Sequence, residues 1–188
     1  MKKINIISLF ILIIFPLKLH ALIEVDITRG NLNPLPIAVS ALYSDKQTSD
    51  ALKKEIKIDK IGDEIALVIE NNLKATGLFN PLEKKAFLQK PDVAHLKPRF
   101  EDWSLIKAQA LITGKVEFKD DKVRVEFRLW DVLAAREMLA LAFTTVPNNW
   151  RRIGHIISDK IYERLTGEKG YFDTRIIYVS EEGPKTKR

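Results

Sequence analysis

The sequence predicts an α/β (α+β) domain in which helices pack on a mixed five-stranded sheet. Two hydrophobic patterns support this fold. Short segments alternate apolar with polar residues, as half-buried strands do, and two longer segments repeat apolar residues every three or four positions, as amphipathic helices do. Along the chain the order is strand, helix, short strand, helix, three antiparallel strands and a final helix. Helices that interrupt a run of strands in this order indicate a mixed sheet with helices on it.

The strands are predicted from alternation, apolar runs and turn residues. The segments Ile112–Phe118 and Val123–Leu129 are joined through Asp120 and Asp121 and form a hairpin. Leu35–Tyr43 is apolar at nearly every position, so we expect both of its faces to be covered. The remaining predicted strands are Leu22–Thr28, Phe79–Leu82, Glu137–Val146 and Arg175–Ser180.

Two long helices are predicted from apolar residues that recur on one helical face. The first begins near Asp59 and ends before Gly77, and the second spans about Asn149–Leu165 with Asn148 or Asn149 as its cap. The residues predicted to face inward are Ile61, Ile65, Val68, Ile69 and Leu73 in the first helix and Trp150, Ile153, Ile157, Ile161 and Leu165 in the second.

Three further segments show weaker patterns. Glu101–Lys107 is predicted to form a short helix that presents Trp103. The stretch through Pro91 and Pro98 is predicted as a loop. Ser44–Lys57 is polar, and we expect a loop there with at most a helical turn.

Residues 1–21 form a predicted signal peptide. A positive start, Lys2 and Lys3, precedes an almost entirely apolar run, Ile4–Leu17. As a helix this run is about 21 Å long, short of the roughly 30 Å hydrocarbon core of a bilayer, so export with cleavage after Ala21 is favoured. An uncleaved membrane tether is the alternative. The chain has no cysteine, which excludes a lipid-modified N-terminus and disulfides. No membrane span is expected after cleavage.

The charge does not indicate a nucleic-acid partner. The formal net charge is +6, but the three lysines of the leader account for half of it, and the remainder carries +3 spread along the chain. Arg124, Arg128 and Trp130 share one strand face, but Glu126 lies between them. One aromatic residue and an interrupted basic row are too little for a nucleic-acid surface.

The mature sequence contains no recognisable catalytic, cofactor or metal motif. His95 and His155 lie far apart and have no ligand partner at metal-binding spacing, so a structural role is expected for His155. A glycine-rich phosphate loop and a nucleophile elbow are both absent from the sequence. Protein binding is the leading function class. The alternative class is an exported small-molecule-binding or hydrolytic domain that uses the neighbourhood of Trp103–Lys107.

Several sequence blocks resemble the N-terminal domain of the TolB family, which are periplasmic proteins of the Tol–Pal system. These blocks fall in order and are spread over essentially all of residues 22–183: Glu24–Asn31, Pro34–Val39, Thr76–Phe79, Val125–Val132 and Trp150–Ser180. The resemblance implies a periplasmic, non-catalytic α/β domain, similar to the anticodon-binding-domain fold, that serves outer-membrane integrity and invagination at cell division. Likeness to an RNA-associated fold implies no RNA binding.

The resemblance also implies a partner and a binding segment. In TolB-like proteins the start of the mature chain binds the C-terminal domain of TolA. An alternating apolar and acidic strand at a chain end is suited to adding to a partner's sheet edge. The residues that match this segment here are Leu22, Ile23, Glu24, Val25, Asp26, Ile27, Thr28, Arg29 and Gly30.

One difference from the family concerns the end of the chain. TolB-like proteins continue into a β-propeller that carries the surface for the lipoprotein Pal, whereas no complete β-propeller is expected here, so Pal binding would require a propeller from another chain. A non-functional truncated remnant is therefore a further alternative. The predicted division is residues 1–21 as signal peptide, 22–33 as partner-binding segment, 34–170 as α/β domain and 171–188 as remnant of the first propeller strand and tail.

Overall fold

A mixed sheet forms the centre of the computed structural model, which describes residues 33–174. Its main strands lie in the order β3-β1-β4-β5-β6, and the short β2 pairs with β4. The strands are β1 (Leu35–Val39), β2 (Tyr43–Ser44), β3 (Phe79–Pro81), β4 (Ala110–Lys119), β5 (Lys122–Asp131) and β6 (Arg136–Thr145). The predicted signal peptide and the predicted strands Leu22–Thr28 and Arg175–Ser180 lie outside the described residues.

Five α-helices accompany the sheet within the described residues. They are α1 (Lys46–Ile56), α2 (Ile61–Ala75), α3 (Pro91–Ala94), α4 (Phe100–Leu105) and α5 (Trp150–Thr166). Short 3₁₀ turns cover Lys84–Ala86 and Pro147–Asn149. The predicted mixed sheet with packed helices is confirmed. The predicted count of five strands leaves out the two-residue β2.

The sheet combines parallel and antiparallel pairing. β1 pairs in parallel with both β3 and β4, with Ile37 opposite Pro81 on one side and Ala110 on the other. β4, β5 and β6 pair antiparallel. In the turn between β4 and β5, Asp120 and Asp121 have positive φ values of 52° and 56°. A two-residue turn with this backbone matches the twist of a hairpin, so the predicted hairpin is confirmed.

The main hydrophobic core lies between one face of the sheet and the two long helices α2 and α5. All ten residues predicted to face inward from these helices are buried. They pack against alternate residues of the strands, among them Ile37, Ile112 and Phe127, none of which is exposed. A methyl group at Gly154 of α5 would lie 2.7 Å from the Val68 side chain, which shows how closely the helices approach.

A smaller core covers part of the opposite face of the sheet. Trp103 of α4 is 1% exposed and packs with Ala38 and Leu111, the residues of β1 and β4 that point away from the main core. Its indole Nε1 donates a hydrogen bond to Gln89 Oε1 at 2.9 Å. The ring of Phe87 meets the Trp103 ring edge to face, with centroids 5.0 Å apart. The predicted short helix that presents Trp103 is therefore correct.

The prediction of a loop over Ser44–Lys57 is wrong, because α1 occupies most of it. Asp45 caps the helix, since its Oδ1 accepts a hydrogen bond from the Thr48 backbone N–H at 2.7 Å. Only Thr48 and Leu52 are buried in this helix. The rest of the helix is mostly polar, and so few apolar residues do not mark it as a helix in the sequence.

Three other predicted details differ from the structure. The predicted strand Leu35–Tyr43 is interrupted, because the Leu42 N–H donates to the Gly62 carbonyl at 3.2 Å instead of to a strand. The predicted cap Asn149 makes no side-chain capping hydrogen bond, since the preceding 3₁₀ turn runs directly into α5. The predicted proline-containing loop includes the short helix α3.

The chain after α5 folds back along that helix. Asp159 accepts hydrogen bonds from the backbone N–H groups of Phe172 at 2.6 Å and Asp173 at 3.1 Å. Arg152 pairs with the Asp173 carboxylate through its Nε at 3.0 Å. A methyl group at Gly170 would lie 2.4 Å from Asp159 Cα. These contacts fix the path of the chain as far as residue 173.

We predict that Gly62→Ala destabilises the fold more than Gly154→Ala does. A methyl group at Gly62 would lie 1.8 Å from the Leu42 carbonyl oxygen, a backbone atom that cannot rotate away. Overpacking of this kind costs about 1–3 kcal/mol in the free energy of unfolding. At Gly154 the obstacle is the Val68 side chain, which can shift, so the loss is smaller. Urea denaturation of both variants measures the difference, and equal stabilities would contradict the prediction.

A second prediction concerns the partly buried carboxylate of Glu70 on α2. Burial raises the pKa of Glu70. The positive charge of Lys84 opposes this rise, and its Nζ lies 3.3 Å from Glu70 Oε1 without making a well-oriented hydrogen bond to it. A carboxyl group whose pKa is raised in the folded state contributes fully to stability at a pH below its ordinary pKa. This contribution is lost as the pH rises through the raised pKa. We therefore expect Glu70→Gln to increase the free energy of unfolding at pH 7, and to increase it less at pH 4.

Urea denaturation at the two pH values tests this expectation. The matched control is Lys84→Met, which removes the opposing charge and should lower stability at pH 7. A loss of stability at pH 7 in Glu70→Gln would show that the ion pair outweighs the cost of burial.

Candidate partner-binding surfaces

The predicted binding segment Leu22–Gly30 lies outside the described residues, but the point where it joins the domain is defined. Asn33 and Pro34 are exposed, and Leu35 begins the central strand β1. The Leu35 N–H donates to the Leu78 carbonyl at 2.8 Å, and the Pro36 carbonyl accepts from the Gln109 N–H at 2.9 Å. The hydrogen bonds that hold the start of β1 are therefore made within the described domain.

The outer face of β4, β5 and β6 has no long helix over it and carries a balanced set of charges. Lys115 Nζ lies 2.8 Å from Glu117, whose pKa is lowered by this hydrogen bond and by Arg124. Arg124 also pairs with Glu126, and Arg128 lies 3.3 Å from Glu137. The ion pairs named here join three basic residues to three acidic ones. This face therefore lacks the excess of positive charge that nucleic-acid binding requires.

A shallow cavity of about 390 Å³ lies on the same face, beside α3. Small residues of the strands, including Gly114, Ala140 and Ala142, form its floor, and His95 and Leu96 form one wall. The His95 ring stacks on Tyr43 with centroids 4.5 Å apart. The charged side chains of its lining are Lys115, Arg124, Glu126 and Arg128, which make the ion pairs described above.

Among the described residues β6 has one edge without a strand partner, a surface that the sequence did not reveal. Glu137–Val146 was correctly predicted as a strand, but its position at one end of the strand order depends on long-range pairing. Ala140, Leu141 and Ala142 are exposed along it. Apolar alternation predicts a strand whether it is central or at an edge, so no local pattern identifies the edge.

The neighbourhood of Trp103–Lys107, the alternative site, is a packed core with an exposed apolar rim. Trp103 is buried, whereas Leu105 is 75% exposed and Lys107 points to the surface side of the domain. Gln89 Oε1 accepts hydrogen bonds from both Trp103 and the Arg99 backbone N–H. These polar groups are used to hold α4 in place, and no nucleophile with an adjacent base is found among them.

The two histidines within residues 33–174 make structural contacts. His155 Nδ1 lies 2.9 Å from the side-chain amide of Asn72, which also donates to Ser158 Oγ at 2.9 Å, so the pair links α2 to α5. His95 Nδ1 lies 3.0 Å from the Pro91 carbonyl. Within residues 33–174 no group of His, Cys, Asp or Glu is arranged to hold a metal ion. In the same part of the chain no helix has the length and apolar character needed to cross a membrane.

Comparison with known proteins gives one family. Residues 23–138 match the family described as the TolB amino-terminal domain. Over 181 residues the chain is 75% identical to the Tol-Pal system protein TolB of Pelagibacter ubique (strain HTCC1062). The aligned residues make up 96% of this chain and 41% of that relative. The chain thus spans 41% of the length of the curated relative that it matches.

A solved structure shows the same fold. The crystal structure of TolB from Acinetobacter baumannii matches with a TM-score of 0.57 at 22% sequence identity, covering 74% of this chain and 30% of that chain. The resemblance drawn from the sequence blocks is confirmed by the family match and by the identity over nearly the whole chain. The chain belongs to the TolB amino-terminal domain family.

Proposed function

We propose that the chain is a periplasmic, non-catalytic protein-binding component of the Tol–Pal system, and that Leu22–Gly30 binds the C-terminal domain of TolA. On this proposal it serves outer-membrane integrity and invagination at cell division. The observation that carries the proposal is the 75% identity to a Tol-Pal system protein TolB over 96% of this chain. The predicted leader of residues 1–21 supports export to the periplasm.

Strand addition is the proposed mechanism of TolA binding. Backbone groups of the segment would pair with an exposed sheet edge of the partner, and the apolar residues Ile23, Val25 and Ile27 would fill alternate pockets. In such a strand Glu24 and Asp26 would face the other side, where they would select a cationic partner surface. Since β1 is held by bonds within the domain, engaging the segment does not require the domain to unfold.

Pal is a conditional partner. The chain spans 41% of its curated relative, and by the family resemblance the Pal surface lies on a propeller. We therefore propose that Pal binding depends on a propeller, as the family resemblance implies. The outer sheet face supports no substitute, because its named charges are already paired within the domain.

We predict that deletion of residues 22–30 abolishes capture of the TolA C-terminal domain and leaves the domain folded. The strands and helices of the described domain hold one another through their own hydrogen bonds and core, so the far-UV circular dichroism should stay the same. Pull-down with purified TolA C-terminal domain measures the loss. Undiminished capture would refute the binding segment. Failure of the mature chain without the deletion to bind would instead favour a domain that folds but does not bind TolA.

A further prediction separates the two faces of the segment. Val25→Asp places a charge in an apolar pocket and should weaken TolA binding at least about tenfold at every salt concentration. Asp26→Asn keeps the shape and removes one charge, so its smaller effect should fade as salt is added. Calorimetric titration at low and high salt distinguishes the two. Equal and salt-independent effects would contradict strand addition with alternating faces.

A further inference from the structure

Residues 167–173, which follow α5 and which we call the latch, reverse the direction of the chain. The reversal begins at Gly167, whose φ of 76° ends the helix in the left-handed conformation. Thr166 Oγ1 then accepts a hydrogen bond from the Glu168 backbone N–H at 3.1 Å. From this point the chain runs back along the helix that it has just left.

Asp159 of α5 is the main attachment point of the latch. Its Oδ1 accepts a hydrogen bond from the Phe172 N–H at 2.6 Å, and its Oδ2 accepts one from the Asp173 N–H at 3.1 Å. Hydrogen bonds to a carboxylate are stronger than those between neutral groups. Gly170 passes so close to the helix that a methyl group there would lie 2.4 Å from Asp159 Cα. The closed latch therefore requires both the carboxylate and the glycine.

An ion pair extends the attachment toward the start of α5. Arg152 Nε lies 3.0 Å from Asp173 Oδ1, and its Nη2 lies 3.0 Å from Asp173 Oδ2. A guanidinium that binds a carboxylate through two nitrogens also fixes its orientation. Arg152, Asp159 and Thr166 recur every two helical turns, so they lie on one face of α5. The latch is held along this face.

The latch is packed on the core without being part of it. No residue of the latch is buried, whereas Leu165 beneath it is fully buried among the helices and the sheet. The rings of Tyr171 and Phe172 meet the Tyr162 ring edge to face, with centroids 5.6 and 6.0 Å away. Segments held by such peripheral contacts open at a lower free energy than the core does. The latch can therefore detach while the domain stays folded.

The latch changes the place from which the chain continues. The start of β1 lies beside the C-terminal half of α5, because Leu35 is opposite Phe79 and the Phe79 ring is 6.3 Å from the Tyr162 ring. A chain that left α5 directly at its end would leave the domain on this same side. The latch instead carries the chain back to Asp159, two helical turns or about 11 Å toward the start of the helix.

We propose that residues 167–173 are a detachable latch, with Asp159 as the positioning residue that holds it closed. The closed latch directs the chain after Thr174 away from the place where the segment Leu22–Gly30 joins the domain. The consequence for binding rests on the proposed function: a partner held by that segment stays clear of the residues that follow the latch. Opening the latch removes this separation.

Two variants open the latch by different routes. Asp159→Ala removes both hydrogen-bond acceptors, whereas Gly170→Ala keeps them and places a methyl group against the helix backbone. The matched control is Glu163→Ala, which removes an exposed carboxylate of the same helix. That side chain pairs with Lys160 at 2.8 Å.

Hydrogen exchange of the full chain, followed residue by residue, measures the opening. The backbone N–H groups of Phe172 and Asp173 should exchange at least about tenfold faster in both variants and at the natural rate in the control. The N–H of the buried Ile161 should keep its rate in all three. Unchanged protection of Phe172 and Asp173 in both variants would overturn the proposal. Equal acceleration at Ile161 would also overturn it, because the segment would then unfold only together with the core.

A distance measurement tests the control of direction. The chain has no cysteine, so Asn33→Cys with Thr174→Cys attaches two spin labels at exposed positions where the described domain begins and ends. Electron paramagnetic resonance should give a narrow distance distribution, and a broad one once Asp159→Ala is added. Equal widths with and without Asp159→Ala would refute the positioning role of Asp159. Neither measurement uses TolA, so failure here is distinguishable from failure of the proposed function.

Discussion

Parallel pairing of β1 with both of its neighbours is the constraint on which the rest of this fold depends. Parallel strands need crossover connections, and these are right-handed in nearly all proteins. The chain moves one way across the sheet from β1 to β3 and the opposite way from β3 to β4. The two crossovers therefore deliver α2 to one face and α3 and α4 to the other. From β4 onward tight turns connect antiparallel strands, so no crossover brings a helix over the outer face of β5 and β6.

The sequence predicts those elements whose buried residues recur at a fixed period. α2 and α5 were predicted with their buried faces because each must cover the sheet along several turns. α1 was missed because it buries only Thr48 and Leu52, and its start depends on the Asp45 cap more than on apolar contacts. The break after Val39 was missed because the hydrogen bond from Leu42 to Gly62 joins distant parts of the chain, which local composition does not encode.

The candidate surfaces were predictable to different degrees. Alternation in Leu22–Thr28 indicates a strand, but its role as a partner-binding segment came from the family resemblance and stays a proposal. The strand β6 was predicted, yet its place at the edge was not, because an apolar strand looks alike whether it has one neighbour or two. The neighbourhood of Trp103 illustrates the opposite error: an indole with polar neighbours resembles a site in sequence, whereas its Nε1 is used to bind Gln89.

The distribution of charge distinguishes the leading segment from the edge strand. Leu22–Gly30 alternates apolar with acidic residues, and on the proposed function it would favour a partner edge with basic groups beside it. β6 carries charge only at its start, in Arg136 and Glu137, and the Nε of Arg136 is buried without a hydrogen-bond partner among the described residues. Within the described residues β4 and β5 lie between β1 and β6, so the strand that the leading segment joins is about 14 Å from the edge strand.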